Sequence, residues 1–251
     1  MRELKEILNA FYFALSYFSI IPVFVKDMQI NDKTYKYTLV LLPLVGAILA
    51  SIVIALNLLL NQFFIPLYAS FVVAIVYLAL YGFIHTEAII DVVDAWFASY
   101  SGKDAYAIMK ESTIGAIGAL YAIAFVLLKV GIITYVLYEE QYALFFMVCI
   151  FSRLNLIYLL EYFKFSKDSF LSLAFAGSGV FRLKIIALIY ILIAFLIGFN
   201  ALVLFILSLI SFYLILKVLN KKFGFVNGDC LGFTLEHTEL VLLNIGLAML
   251  L

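Results

Sequence analysis

Residues 37–60 read YTLVLLPLVGAILASIVIALNLLL, an unbroken apolar run without a single Asp, Glu, Lys or Arg. As a helix rising about 1.5 Å per residue it is roughly 36 Å long, enough to cross the ~30 Å hydrocarbon layer of a bilayer. Working outward, seven further stretches approach the same length and character, at about 7–25, 65–84, 114–138, 141–163, 184–199, 200–219 and 229–251. The chain as a whole is 67% hydrophobic and 13% charged, with a mean hydropathy of +1.18. That is far more apolar surface than a water-soluble domain can cover, so lipid must be the solvent. The fold class that follows is all-α, a polytopic integral membrane helical bundle with seven to eight transmembrane segments. The polar strips between the runs are too short to fold separately, which makes residues 1–251 one integral domain.

Sixteen basic residues balance sixteen acidic ones, so no bulk field attracts nucleic acid. Cys149 and Cys230 have no metal-like spacing and read as packing residues. The joins at Leu60 to Phe64, at Glu139 to Glu140 and around Asn200 are short and contain no Lys or Arg. The longer connections, 26–36, 85–113, 164–183 and 220–228, have Lys26, Lys33, Lys36, Lys103, Lys110, Lys164, Lys167, Arg182, Lys184, Lys217, Lys221 and Lys222 in or beside them. Basic residues are retained on the cytoplasmic side, which places these connections there. The first segment is ambiguous. Arg2 and Lys5 precede it and Pro22 interrupts its end, so it either crosses or lies re-entrant at the interface. No small-residue cleavage site follows it, so it is kept in the mature chain.

Directly after the run 65–84 come His85, Glu87, Asp91 and Asp94. On a helix, Glu87, Asp91 and Asp94 fall within about 60° of one another, while His85 points to the opposite face unless the helix begins after it. Three like charges on one face repel unless something neutralises them, and Mg²⁺ does so naturally, since it prefers a few carboxylates together with substrate phosphates. The plain alternative is a solvated helix end.

A second acidic set opens the final run, where Asp229, Gly232, Glu236 and Glu239 share a face. Asp229 also suits an N-cap. By the loop count both sets lie at one membrane surface, so two helices from distant parts of the chain should present carboxylates to one cleft. Between them, Glu111 heads a stripe with Gly115, Gly118 and Ala122 that reads as close helix packing below a polar mouth. Lys129 and Arg153 lie deep within apolar runs, where a charge is expensive unless paired or in a wet cavity. Their partners are either the carboxylates or a substrate phosphate. His237 reads as a satisfied polar residue. There is no GxxxxGK[ST] phosphate loop, no HExxH zinc pair and no GxSxG elbow. Gly177-Ser178-Gly179 is a short glycine-rich candidate for phosphate approach.

The order of these pieces resembles the cobalamin synthase family, the adenosylcobinamide-GDP ribazoletransferases of bacteria and archaea. The resemblance runs through Leu15-Ser16-Tyr17-Phe18 with Ile21-Pro22-Val23, then Leu42-Pro43-Leu44-Val45-Gly46, then His85 to Asp94. It continues with Ile108-Met109-Lys110-Glu111-Ser112 and Gly115 and Gly118, then Lys129, Ser152-Arg153, and Gly228-Asp229-Cys230-Leu231-Gly232 with Glu236 and Glu239. The family usually has aspartate where Glu87 and Glu111 stand, glycine where Ala88 and Ala95 stand, and arginine where Ile20 stands.

The resemblance implies a multi-pass enzyme of the prokaryotic cell membrane with its active site on the cytoplasmic face. A ribose hydroxyl of α-ribazole, or of its 5′-phosphate, attacks the cobinamide-side phosphorus of adenosylcobinamide-GDP and expels GMP. It also implies metal ligation by Glu87, Asp91, Asp94, Asp229 and Glu236, catalytic work by Asp91, Asp94, Asp229 and Glu236, and substrate binding by Lys129, Arg153, Ser112 and His85. Phosphoryl-type transfer needs mainly positioning and charge neutralisation, which suits an Mg²⁺ site beside buried cations. Homo-oligomerisation is left open. Two rival readings are a CDP-alcohol phosphotransferase-like lipid enzyme, whose DGxxAR opening is missing, and an ion-coupled transporter, for which no duplicated halves are evident.

Overall fold

The computed structural model describes residues 2–24, 30–166, 180–197 and 201–249. Lys26, Lys167 and the Gly177-Ser178-Gly179 candidate lie outside the described residues, as does the join around Asn200. Nothing but helix organises the described chain, apart from one parallel bridge between Phe165 and Val226. In chain order the helices are α1 (Arg2–Phe18), α2 (Asp32–Leu60), α3 (Pro66–Leu80), α4 (Ile84–Ala98), α5 (Ala105–Lys110), α6 (Ala116–Tyr138), α7 (Tyr142–Leu159), α8 (Val180–Ile197), α9 (Ala201–Phe223) and α10 (Gly228–Ala248).

Among the described residues four helices are long and apolar enough to span a membrane, namely α2, α6, α7 with its 3₁₀ extension to Tyr162, and α9. A fifth is reached by counting the bent pair α3 and α4 as one broken span. The expected run at 65–84 stops at Leu80, and α4 leaves at 74° to it. Gly82 and Phe83 make this bend in the left-handed region, at φ +65° and +55°. Glycine adopts that region freely and phenylalanine does so at a cost. The break frees the last carbonyls of α3, and the Ile20 N–H from the segment after α1 donates to Leu80 O at 2.8 Å. α1 is a 17-residue amphipathic helix packed on α2, tied there by the Lys33–Glu6 ion pair and by Tyr37 donating to Glu3.

Close packing depends on small residues at two crossings. A Cβ on Gly46 of α2 would run into the Cys149 carbonyl of α7 and stand 2.8 Å from Arg153 Cδ. A Cβ on Gly232 of α10 would stand 2.9 Å from Ala88 Cβ of α4. The first contact makes α2 and α7 the backbone of the bundle, and the second presses the two acidic helices together. Polar side chains within the core pair across helices, as burial in hydrocarbon favours, although Asn155 Oδ1 is buried without a partner. Asn57 of α2 donates to Ser70 of α3 at 3.0 Å and accepts from Tyr142 of α7 at 3.0 Å. Asn155 of α7 donates to Ser208 of α9 at 2.7 Å. The Phe165–Val226 bridge joins the ends of two connections that the basic-residue count assigns to one side.

Candidate active site

α4 runs from Ile84 to Ala98 without interruption, so Glu87, Asp91 and Asp94 do share a face, with Glu87 exposed and the two aspartates partly buried. Because the helix starts before His85, that ring turns inward. It is buried beside the rings of Tyr81 and Phe18, with centroids 5.3 and 6.4 Å away. Asp229 sits in the first turn of α10 against the same acidic face. α4 lies beyond the bend and outside the four spanning helices, and there Asp91 is raised to about 7, first by burial and then by the charges of Asp229, Glu87 and Asp94. The expected meeting of two distant acidic helices is therefore present in the fold.

Asp229 does not cap α10. Asn227 does, accepting the Cys230 N–H at 3.0 Å while its amide donates to Asp229 Oδ2 at 2.8 Å. The capping amide thus orients the carboxylate. Asp94 performs a cap of its own across helices, since Oδ2 accepts the Gly115 N–H at 2.7 Å and Oδ1 the Gly118 N–H at 2.9 Å. These are orphan donors at the N-terminus of α6, where a negative charge is favoured. The proposed stripe headed by Glu111 is accordingly not one helix face. Residues 111–115 are non-helical, Glu111 ends α5, and the two glycines are where they are to admit the Asp94 carboxylate. Ser112 is exposed in this connection.

Further along α10 the geometry changes. Glu236 and Glu239 are 1% exposed and form a closed ion quartet with Lys129 of α6, at 0%, and Arg153 of α7, at 4%. Lys129 Nζ pairs with Glu236 Oε2 and lies 2.8 Å from Glu239 Oε2, while Arg153 Nη1 lies 2.7 Å from Glu239 Oε1. Tyr77 donates to both Glu239 oxygens at 3.1 Å, Ser152 to Oε1 at 3.1 Å, and Tyr81 to Glu236 Oε2 at 3.3 Å. Each of the four charges meets an opposite one, as buried ions require, while Glu236 Oε1 is buried without a hydrogen-bond partner.

This arrangement redirects two assignments made from sequence. Glu236 lies seven residues, or about 10.5 Å of helix rise, beyond Asp229. The two carboxylates therefore do not close on one ion at the roughly 2.0–2.1 Å that Mg²⁺ requires. Lys129 is consumed by Glu236 and Glu239 and does not reach the acidic face. Arg153 keeps a dual position. Its bonds to Glu239, Ser152 and the Cys149 carbonyl leave from Nη1, and the residue also lines a cavity of about 120 Å³ shared with His85, Asp229 and Gly232.

Sequence reasoning missed Tyr77 and Tyr81, which lie within the apolar run 65–84. Their i, i+4 spacing with no polar neighbour was the signal available. It also missed the placement of Lys110, discussed below.

Among the described residues no three His, Cys, Asp or Glu side chains form a ready cage for a metal. The donor set at Glu87, Asp91 and Asp229 fits Mg²⁺ nonetheless, because hard carboxylate oxygens gathered at a polar mouth suit an ion that takes one or two of them plus substrate phosphates.

Comparison with known proteins agrees with the resemblance. A family profile described as cobalamin-5-phosphate synthase matches residues 10–247. A protein of Thermodesulfovibrio yellowstonii named adenosylcobinamide-GDP ribazoletransferase is 28% identical over 94% of this chain and 95% of its own. Proteins of the same name from Treponema denticola and Clostridium perfringens are 27% and 28% identical, over 94% and 96% of this chain and 96% and 100% of theirs. No solved structure matches.

Proposed function

The chain belongs to the cobalamin-5-phosphate synthase family, and from that premise we propose that it joins adenosylcobinamide-GDP to α-ribazole or its 5′-phosphate, releasing GMP. The observation that carries this reading is the convergence of α4 and α10, which sets Glu87, Asp91 and Asp229 around one polar mouth beside a cavity containing His85 and Arg153. A hydroxyl oxygen of the ribose forms the new bond to the cobinamide-side phosphorus. The bond from that phosphorus to the bridging oxygen breaks, and GMP leaves with it.

Mg²⁺, when bound, would neutralise the diphosphate and the charge that develops on the leaving oxygen. Glu87 and Asp91 would hold it, and Asp94 keeps the N-terminus of α6 against them. Of the α10 carboxylates, Asp229 lines the cavity and is oriented by Asn227, whereas Glu236 is committed to Lys129. We therefore assign proton removal from the ribose hydroxyl to Asp229. Arg153 and His85 would bind substrate at the inner wall. The mouth would face the cytoplasm, where the basic connections lie.

The test is GMP release by the purified protein, reconstituted in lipid. Release that requires adenosylcobinamide-GDP, ribazole or its phosphate, and Mg²⁺ supports the proposal. Undiminished release by Asp91→Asn and Asp229→Asn proteins would remove the assignment of these carboxylates, and absence of release by wild-type protein would remove the function.

A further inference from the structure

A diphosphate brought to a face carrying four carboxylates needs protein cations as well as a metal ion. The quartet removes Lys129 from that task and commits one edge of Arg153. Lys222 lies over the rings of Trp96 and Tyr100, 5.3 and 3.6 Å from their centroids. Lys110 belongs to the short helix packed on α4. It ends α5, a single short turn capped by Asp104, which accepts the Tyr106 N–H at 2.9 Å. That turn packs on α4 and touches the residue that caps α10. On one side Ile108 and Glu111 line a cavity of about 290 Å³ with Asp94. On the other, the Asn227 amide that donates to Asp229 also donates to Met109 Sδ at 3.5 Å.

Lys110, next to Met109 and Glu111 in the chain, is exposed, with its Nζ 5.6 Å from the Tyr106 ring centroid. Among the described residues it makes no ion pair within 4.0 Å, although its charge is felt at Asp229. An ammonium held at the rim of an acidic mouth, yet paired with none of its carboxylates, is placed to meet an anion that arrives there. From this geometry we infer that Lys110 is a substrate-binding residue that contacts the diphosphate of the nucleotide-linked substrate at the mouth formed by α4, α5 and α10. The inference rests on the proposed function, because it takes the diphosphate to lie over the acidic face. It adds to that reading a cation supplied by α5, exposed at the surface, alongside the buried Arg153 at the inner wall.

Lys110→Ala and Lys110→Arg proteins test it, with two readouts. One is equilibrium binding of adenosylcobinamide-GDP in the presence of Mg²⁺ and without the second substrate, and the other is steady-state GMP release. Loss of one charge-assisted contact should raise both Kd and KM for adenosylcobinamide-GDP by a factor of about ten or more in Lys110→Ala. KM for ribazole and the Mg²⁺ half-saturation should stay within about twofold, and Lys110→Arg should recover most of the loss. A Kd within about twofold of wild type overturns the inference, as does a defect confined to kcat with a lowered melting temperature. Failure of the wild-type protein to release GMP would instead count against the function itself, so the two failures are told apart.

Discussion

Asp94 grips the first turn of α6 through Gly115, whose N–H it accepts at 2.7 Å, and the glycine is required because a Cβ there would stand 2.6 Å from the Asp94 carboxyl carbon. Gly118 repeats the constraint, with its would-be Cβ 2.6 Å from Asp94 Oδ2. Gly118→Ala should push the carboxylate off both donors, leaving two orphan N–H groups and a displaced acidic face. Loss of such a cap costs about 1–2 kcal/mol, and crowding adds roughly 1–3 kcal/mol. GMP release should fall at least tenfold and the melting temperature should drop, whereas Gly131→Ala, whose Cβ would meet nothing within 4 Å, should leave both unchanged. Equal behaviour of the two variants would contradict the account.

The Lys129–Glu236–Glu239–Arg153 quartet makes a second prediction through its charge balance. Lys129→Met leaves two buried carboxylates with one cation, Arg153, and the hydroxyls of Tyr77, Tyr81 and Ser152. Breaking a buried pair by removing one side costs about 3–5 kcal/mol. Removing both members of a pair should cost much less, so Lys129→Met combined with Glu236→Gln should recover a large part of the stability lost by Lys129→Met alone. Unfolding of the purified proteins in a constant detergent measures this. Strict additivity of the two losses would mean that the pair is not coupled.

How far the fold and site could be read beforehand follows from where each signal lives. Apolar runs announce buried helices because hydrocarbon admits little else, and the face shared by Glu87, Asp91 and Asp94 follows from helical period alone. The bend at Gly82–Phe83 was not legible, since one glycine inside an apolar run is compatible with a straight helix. Nor was the division of the α10 carboxylates. Asp229, Glu236 and Glu239 lie on one face in sequence, and only the depth at which Lys129 and Arg153 arrive from α6 and α7 separates a polar mouth from a closed quartet. Asn227 takes the cap because the helix starts at Gly228, which leaves Asp229, two residues on, inside the first turn. Gly115 and Gly118 looked like packing glycines because their partner, a carboxylate from another helix, has no mark in local sequence.

The α2–α7 crossing gives a prediction remote from the chemistry. A Cβ at Gly46 would strike the Cys149 carbonyl, which is backbone and cannot turn aside, and would stand 2.8 Å from Arg153 Cδ. Gly46→Ala should therefore destabilise by roughly 3 kcal/mol, the upper part of the range for overpacking. It should also impair activity through Arg153, which lies at the same crossing and lines the His85 cavity. A variant with unchanged melting temperature would show that the two helices can move apart freely.

The last prediction concerns protons and divalent ions at Asp91, which is raised from 3.8 to about 7 by burial and by Asp229, Glu87 and Asp94. Between about pH 4 and pH 7 the folded protein then holds a proton at this position that the unfolded chain has released. Stability must fall as pH rises through that window, because the native state binds more protons than the unfolded one. The carboxylate is also partly open to solvent, so the effect will be modest. Without divalent ions the melting temperature should decline between pH 5 and pH 8. Millimolar Mg²⁺ should flatten the decline by supplying at high pH the positive charge that the proton supplies at low pH. Asp91→Asn should show little decline with or without the ion. A wild-type profile that rises with pH, or one indifferent to Mg²⁺, would mean that burial and the neighbouring carboxylates do not hold a proton on Asp91.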